Sequence, residues 1–195
     1  MAHLPVGLLG VRDIDRLTSD RLVLREWRQS DADALAGMLD DAEVMHDWGG
    51  VLSREESDKK LFRYNQAIAE FGFGRWLVER RTGEFLGYCG VMPGFPGHPL
   101  GEHFEIGWRF VRNAWGHGYA TEAARTAIDD VFRRVGLTEV LSYTTAENNR
   151  SRAVMGRLSL VRDASRDFVG GIDPQSRWQG LVWVASRETF ERRSS

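Results

Sequence analysis

One cysteine, Cys89, occurs in the 195 residues, which excludes an internal disulfide and a cysteine-rich zinc site. It sits in a strand-like run, where a free thiol ordinarily serves as buried packing. No apolar run approaches the roughly 18–20 residues that a membrane span needs. The acids Asp13 and Asp15 interrupt the first twenty residues, which therefore lack the shape of a signal peptide. Net charge is small, −2, so no global field draws the chain to nucleic acid or to an anionic membrane. Lysine is nearly missing: Lys59 and Lys60 are the two, and the many arginines are balanced by acids. The five histidines show no H-x-x-x-H spacing and no carboxylate cluster on one helix, so no metal site is expected. What is present suits an ordinary globular chain, with 42% apolar and 28% charged residues and enough length for one sizeable core. A single domain over 1–195 is expected, and a cytoplasmic protein is the default.

The stretch Arg112 to Ala120 organises the rest. Gly116 and Gly118 bracket one residue, and apolar positions then recur with helical period from Ala120 through Val135. The preceding strand, Glu102 to Phe110, is rich in aromatic residues. Strand, glycine turn and helix together present unpaired backbone N–H groups and the positive end of a helix dipole to an anion. Two glycines let a phosphate approach without a Cβ in the way. A pyrophosphate is the expected ligand, and a plain strand-to-helix turn is the alternative. A P-loop is excluded because no G-x-x-x-x-G-K-[ST] string exists. A dinucleotide fingerprint would need a third glycine where Thr121 stands.

Along the chain, residues 1–16 read as an extended arm or an extra strand, and Leu22 to Trp27 as the first strand of the sheet. Ser30 caps an expected helix from Asp31 to about Leu39, and a short helical piece is expected around Ala42 to Asp47. Ser53 to Glu56 is a capping box opening a helix to about Phe71. Gly74–Arg80 and Glu84–Met92 flank a turn at Thr82-Gly83 and read as a hairpin. Pro93 to Gly101 reads as an exposed loop. Strands without crossover helices imply an antiparallel meander. The helix after Gly118 then crosses over to a strand at Val140–Thr145, parallel to the fourth. A helix follows from Ala146 to about Leu158. Val161–Phe168 and Arg177–Ser186 are the last expected strands, and 191–195 a polar tail. The fold class is thus α+β.

The glycine turn resembles the acetyl-CoA signature of the GCN5-related N-acetyltransferase (GNAT) family, R/Q-x-x-G-x-G/A, with Asn113 where the family has Arg or Gln. The longer string Trp115 to Ala123 resembles the RimJ/RimL-type branch, which acetylates N-terminal amines of ribosomal proteins. Asn148-x-x-Ser151 resembles the family's second motif, whose usual terminal glycine is replaced by Ser159. The resemblance covers about 17–189. It implies a central mixed, mostly antiparallel sheet of six to seven strands, helices on both faces, and a V-shaped splay between strands four and five.

It also implies transfer of acetyl from acetyl-CoA to a primary amine, by direct attack in a ternary complex. The acceptor is a small molecule or a protein N-terminus, and a homodimer is compatible. The residues implied at the cofactor are Phe110, Val111, Arg112, Trp115, Gly116, His117, Gly118, Tyr119, Ala120, Asn148 and Ser151. Glu105 is the implied base, acting through water, with His103 on the same strand face as the second candidate. An amine already partly neutral would need neither. Met155 stands where many members carry a proton-donating Tyr, which leaves the Ser151 hydroxyl as the group for the departing sulfur. Asn148 and Ser151 are alternatively plain capping residues. Asp47, Trp48 and Glu55 are candidates on the acceptor side, and Trp183 replaces a frequent Tyr of the last strand. A non-catalytic acyl-CoA-binding module on the same fold is the competing function.

Overall fold

A computed structural model of the chain describes residues 14–171 and 177–192. Most of the expected arm at 1–16 and of the tail at 191–195 lies outside them. The described parts are regular: β1 (Arg16–Thr18) is a strand, and α5 (Arg187–Glu191) a short helix capped by the Ser186 hydroxyl. β2 (Leu22–Arg25) pairs antiparallel with β1 and with β3 (Arg75–Arg80), and β3 forms a hairpin with β4 (Phe85–Pro93). β4 then pairs with β5 (Phe104–Phe110) along its length, completing the expected meander.

Between β2 and β3 the chain inserts α1 (Ala32–Leu39) and α2 (Arg54–Phe71). The capping box of α2 forms as read, with the Ser53 hydroxyl accepting from the Glu56 amide and the Glu56 carboxylate from the Ser53 amide. Two expectations fail here. Ser30 lies within a 3-10 turn and does not cap α1; the residue before α1 is Asp31, whose carboxylate accepts the Arg28 amide and clamps Arg25. Residues 42–49 form turns rather than a helix, tied by the Asp41 carboxylate to the Glu43 and Val44 amides. A local Asp that bonds nearby amides offers the backbone an alternative to a helix.

After β5, α3 (Tyr119–Asp130) widens into a π turn over Val131–Val135 and ends at Gly136, φ 85°. Its contact residues are small: Ala123 and Ala124 are fully buried, so the helix backbone lies close against the sheet. β6 (Glu139–Thr144) follows, then α4 (Asn149–Arg157), β7 (Val161–Arg162), β8 (Phe168–Gly170) and β9 (Trp178–Ser186). The strand expected over Val161–Phe168 is thus split by a 3-10 turn at Ala164–Arg166, pinned by the Asp163 carboxylate. Six strands have four residues or more, and β1, β7 and β8 are short additions.

The sheet order β1-β2-β3-β4-β5-β6-β9-β7 contains one parallel pair, β5 with β6. Those two strands meet with Glu105 opposite Leu141, and the Ser142 hydroxyl reaches Ile106 O at 3.2 Å. β6 turns instead to β9, with which it pairs over six positions. Beyond Ile106, β5 and β6 therefore diverge, forming the expected splay. One core lies between the sheet and α3, α4, and a second between the sheet and α1, α2; a small third cluster gathers Leu141, Phe168 and Val182. Cys89 is fully buried in the first, and burial pushes its thiol up to about 12, which removes it from thiolate chemistry. Among the described residues no helix is long and apolar enough to cross a membrane, and no cluster of metal-ligating side chains occurs.

Candidate active site

The glycine turn is built from the end of β5. The Val111 amide donates to Leu86 O at 2.9 Å, so it remains in the sheet and is not free for a ligand. Alternation along the strand turns the neighbouring Phe110 groups towards the splay. A 3-10 turn over Arg112–Ala114 follows, and the Trp115 indole donates back to Phe110 O at 2.8 Å. Gly116 and Gly118 both adopt left-handed φ, 79° and 78°. A Cβ at Gly116 would meet nothing, and one at Gly118 would meet only Arg21 Nη2, at 3.6 Å. Backbone conformation, rather than crowding, therefore demands these glycines, and the space above them is open.

Within α3 the first amide to find an acceptor is that of Glu122, which bonds Gly118 O. Among the described residues no protein acceptor takes the amides from Gly116 to Thr121, and the buried Thr121 hydroxyl also lacks a partner. An open groove of about 790 Å³ runs along the length of α3, from Arg21 and Gly118 past Arg125 to Asp129 and Arg133. These unspent donors at a helix N-terminus fit a pyrophosphate.

Arg21 and Glu122 brace the turn. The Arg21 guanidinium donates to His117 O at 3.0 Å, pairs with Glu122 at 2.6 Å and lies 4.7 Å from the Tyr119 ring centre. Burial would raise the Glu122 carboxyl, but hydrogen bonds from Ser19 and from the Arg21 amide and side chain outweigh it and hold it below the ordinary range. Its charge is thereby matched beside the anion cradle. Sequence reading missed Ser19, Arg21 and Glu122 in this role, because their contacts span about a hundred residues. His117 stacks on Tyr119 at 5.5 Å. Tyr119 is buried and Ala120 packs against the core, so both serve the turn through backbone and packing. Arg112 points away, to Glu43 at 2.8 Å.

Across the splay, Asn148 caps α4: its Oδ1 accepts the Ser151 amide at 3.0 Å. Its Nδ2 also donates to Asp47 at 2.5 Å, and Asp47 accepts from Arg109 at 2.9 Å. Asp47 thus bridges β5 to the start of α4, over the mouth of the splay. Arg150 adds a second tie, 3.8 Å from the Trp115 ring centre and 3.3 Å from His46 Nδ1. Among the described residues the Ser151 hydroxyl has no partner. Met155 is buried in the core and donates nothing.

On the α1–α2 side of the sheet, Glu105 pairs with the buried Arg75 at 2.6 Å through Oε1, leaving Oε2 without a partner among the described residues. Arg75 passes beneath Gly107; a Cβ there would lie 2.7 Å from its Nη2, which explains the glycine in mid-strand. His103 does not reach the same position. Its Nδ1 contacts Gly101 O at 2.9 Å, and its Nε2 is buried against His98 and Gly94, closed to solvent. Of the two base candidates, Glu105 holds the accessible oxygen. Glu55 pairs with Lys59 on the exposed side of α2, away from the sheet. Trp183 packs against the α3-side core beneath Arg162, on the strand face opposite Val182 and Val184.

Comparison with known proteins agrees with this arrangement. Residues 21–161 match the family model described as Acetyltransferase (GNAT) domain. The chain is 32% identical over 148 residues to the uncharacterized protein YkkB of Bacillus subtilis, covering 74% of this chain and 84% of that one. An acetyltransferase structure from Agrobacterium tumefaciens superposes with a TM-score of 0.74 at 26% identity, covering 89% and 95% of the two chains. A spermidine N-acetyltransferase from Vibrio cholerae, solved with CoA and spermine, shares the fold with a TM-score of 0.69 at 16% identity, covering 89% and 99%. With its glycine turn, splayed strands and a family match over most of its length, the chain belongs to the GNAT acetyltransferases and is an acyltransferase.

Proposed function

We propose that this enzyme transfers the acetyl group of acetyl-CoA to a primary amine, with both substrates bound together. The observation that carries the reading is the run of unspent amides from Gly116 to Thr121, placed where β5 leaves β6. The amides hold the pyrophosphate. The β5 edge at Phe110 pairs with the pantetheine arm as an added strand would; its N–H supplies this contact, since the Val111 amide is spent on Leu86. Bound acetyl-CoA supplies an activated acyl group and a thiolate leaving group.

The chain's own residues do the rest. Glu105 Oε2 accepts a proton from the amine, directly or through water, while Arg75 fixes the carboxylate's direction. The Ser151 hydroxyl, unspent at the head of α4, donates towards the departing sulfur. A backbone N–H of β5 at the splay stabilises the charge that develops on the acyl oxygen. The string Trp115 to Ala123 supports a place beside the RimJ/RimL-type branch, so N-terminal amines of ribosomal proteins belong among the acceptors to test.

A panel of small amines and N-terminal peptides, read by CoA release, tests the reaction. Glu105→Gln and Ser151→Ala are each expected to lower kcat by roughly a hundredfold or more while leaving acetyl-CoA affinity near the wild type. Turnover unchanged in both variants would remove them from the mechanism.

A further inference from the structure

The face that receives the amine is cationic beyond what its own acids neutralise. Lys60 and Arg63 follow one another on α2 at positions i and i+3, with Tyr64 at i+4. Lys60 Nζ sits 4.3 Å from the Trp48 ring centre, and the Arg109 guanidinium lies 5.5 Å from the same ring. Arg75 lies under the neighbouring strand. Two carboxylates answer these four cations, and each is taken: Glu105 by Arg75, Asp47 by Arg109. Lys60 is half-buried, and no carboxylate pairs with it among the described residues. Arg109 has a side chain only 10% exposed, and its Nε is buried without a partner.

The field of this cluster registers on two buried or half-buried groups. Burial lowers the Lys60 ammonium; Tyr88 opposes this, and repulsion from Arg63, Arg109 and Arg75 adds to the lowering. Burial would raise the Tyr88 phenol, yet the nearby Lys60 and Arg109, the hydrogen bond with Tyr64 and Arg75 outweigh it and hold Tyr88 below its ordinary value. A half-buried cation without a paired carboxylate is partly desolvated, a cost that an anionic ligand relieves.

We infer that the acceptor is an amine that also carries a carboxylate, and that Lys60, beside Arg109 and the exposed Trp48, receives that carboxylate. The inference rests on the acetyltransferase reading of the site. Amines with a second positive charge are disfavoured here, because they would meet Lys60 and Arg109 with like charge. Trp48, 53% exposed, gives the acceptor's apolar body a surface between the two cations.

Matched pairs that differ by one carboxylate test this directly: phenylalanine against phenethylamine and arginine against agmatine, with putrescine as the dication. CoA release is measured at saturating acetyl-CoA for the wild type, Lys60→Met and Lys60→Arg, and acetyl-CoA binding is measured separately by calorimetry. The carboxylated partner is expected to show at least tenfold higher kcat/KM. Lys60→Met is expected to raise its KM roughly tenfold, the worth of one charge-assisted hydrogen bond, to leave the decarboxylated partner unchanged, and to be rescued by Lys60→Arg. Preference for phenethylamine, agmatine or putrescine overturns the inference while the acetyltransferase reading stands. Equal effects of Lys60→Met on both members of a pair do the same. Acetyl-CoA bound with no amine turned over overturns both.

Discussion

At the residue scale, the side chains that matter are mostly those with one group spent and one left over. Asn148 caps α4 with its oxygen, as the capping reading has it, and its nitrogen reaches Asp47, which ties that cap to β5. Glu105 gives one oxygen to Arg75 and keeps the other. Ser159 shows what a departure from the family pattern costs. It occupies φ 60°, the left-handed conformation for which the motif uses glycine, with its amide bonded to Gly156 O. A side chain there is strained by about 1 kcal/mol. Ser159→Gly is therefore expected to raise the thermal midpoint by a few degrees with no change in kcat. A lowered midpoint would show that the hydroxyl contributes more than the strain removes.

At the element scale, α3 is held close to the sheet by alanines. Ala124 is fully buried, so Ala124→Leu forces extra carbons into a filled space and is expected to cost about 1–3 kcal/mol in denaturant unfolding. A neutral result would mean that the α3–sheet contact is looser than drawn. Elements with a local signature were legible in the sequence: the Ser53–Glu56 capping box, the hairpin at Thr82-Gly83, and the two glycines before a helical period all fold as read. The misreadings have a shared cause. Asp31, Asp41 and Asp163 each bond nearby amides, and so move a helix start, replace a helical piece with turns and split a strand. The Arg75–Glu105 and Arg109–Asp47–Asn148 contacts were not legible, since they join elements 30 to about a hundred residues apart. The positions i and i+3 of Lys60 and Arg63 on α2 were a signal that sequence reading could have used.

At the scale of the whole molecule, the loop before β5 links stability to pH. His98 is buried among Phe95, His103, Tyr143 and Phe168, and its Nδ1 accepts the Leu100 amide, which fixes the neutral ring with its proton on Nε2. Burial, then the neighbouring His103, pushes it down to about 4. An unfolded chain takes up that proton near pH 6.5, so between about 6.5 and 4 the unfolded state binds more protons than the folded one. Stability is therefore complete above about pH 6.5 and falls as the pH drops through that window. The slope from this residue is at most ~1.4 kcal/mol per pH unit. Thermal melts from pH 7 to 4 should show the decline, and His98→Phe should flatten it; an unchanged slope would assign the acid sensitivity elsewhere.

At the same scale, the proposed function joins the glycine turn, the splay and the Glu105 face of the sheet into one path that begins with acetyl-CoA at the turn. Calorimetry of acetyl-CoA binding to the wild type and to Gly118→Trp, with circular dichroism to confirm that both are folded, tests that path at its origin. Binding in the micromolar range by the wild type, lost in the variant whose indole fills the open space above the turn, is the expected result. A folded wild type that does not bind, or a variant that binds as well, would return Gly116 and Gly118 to the role of a plain turn.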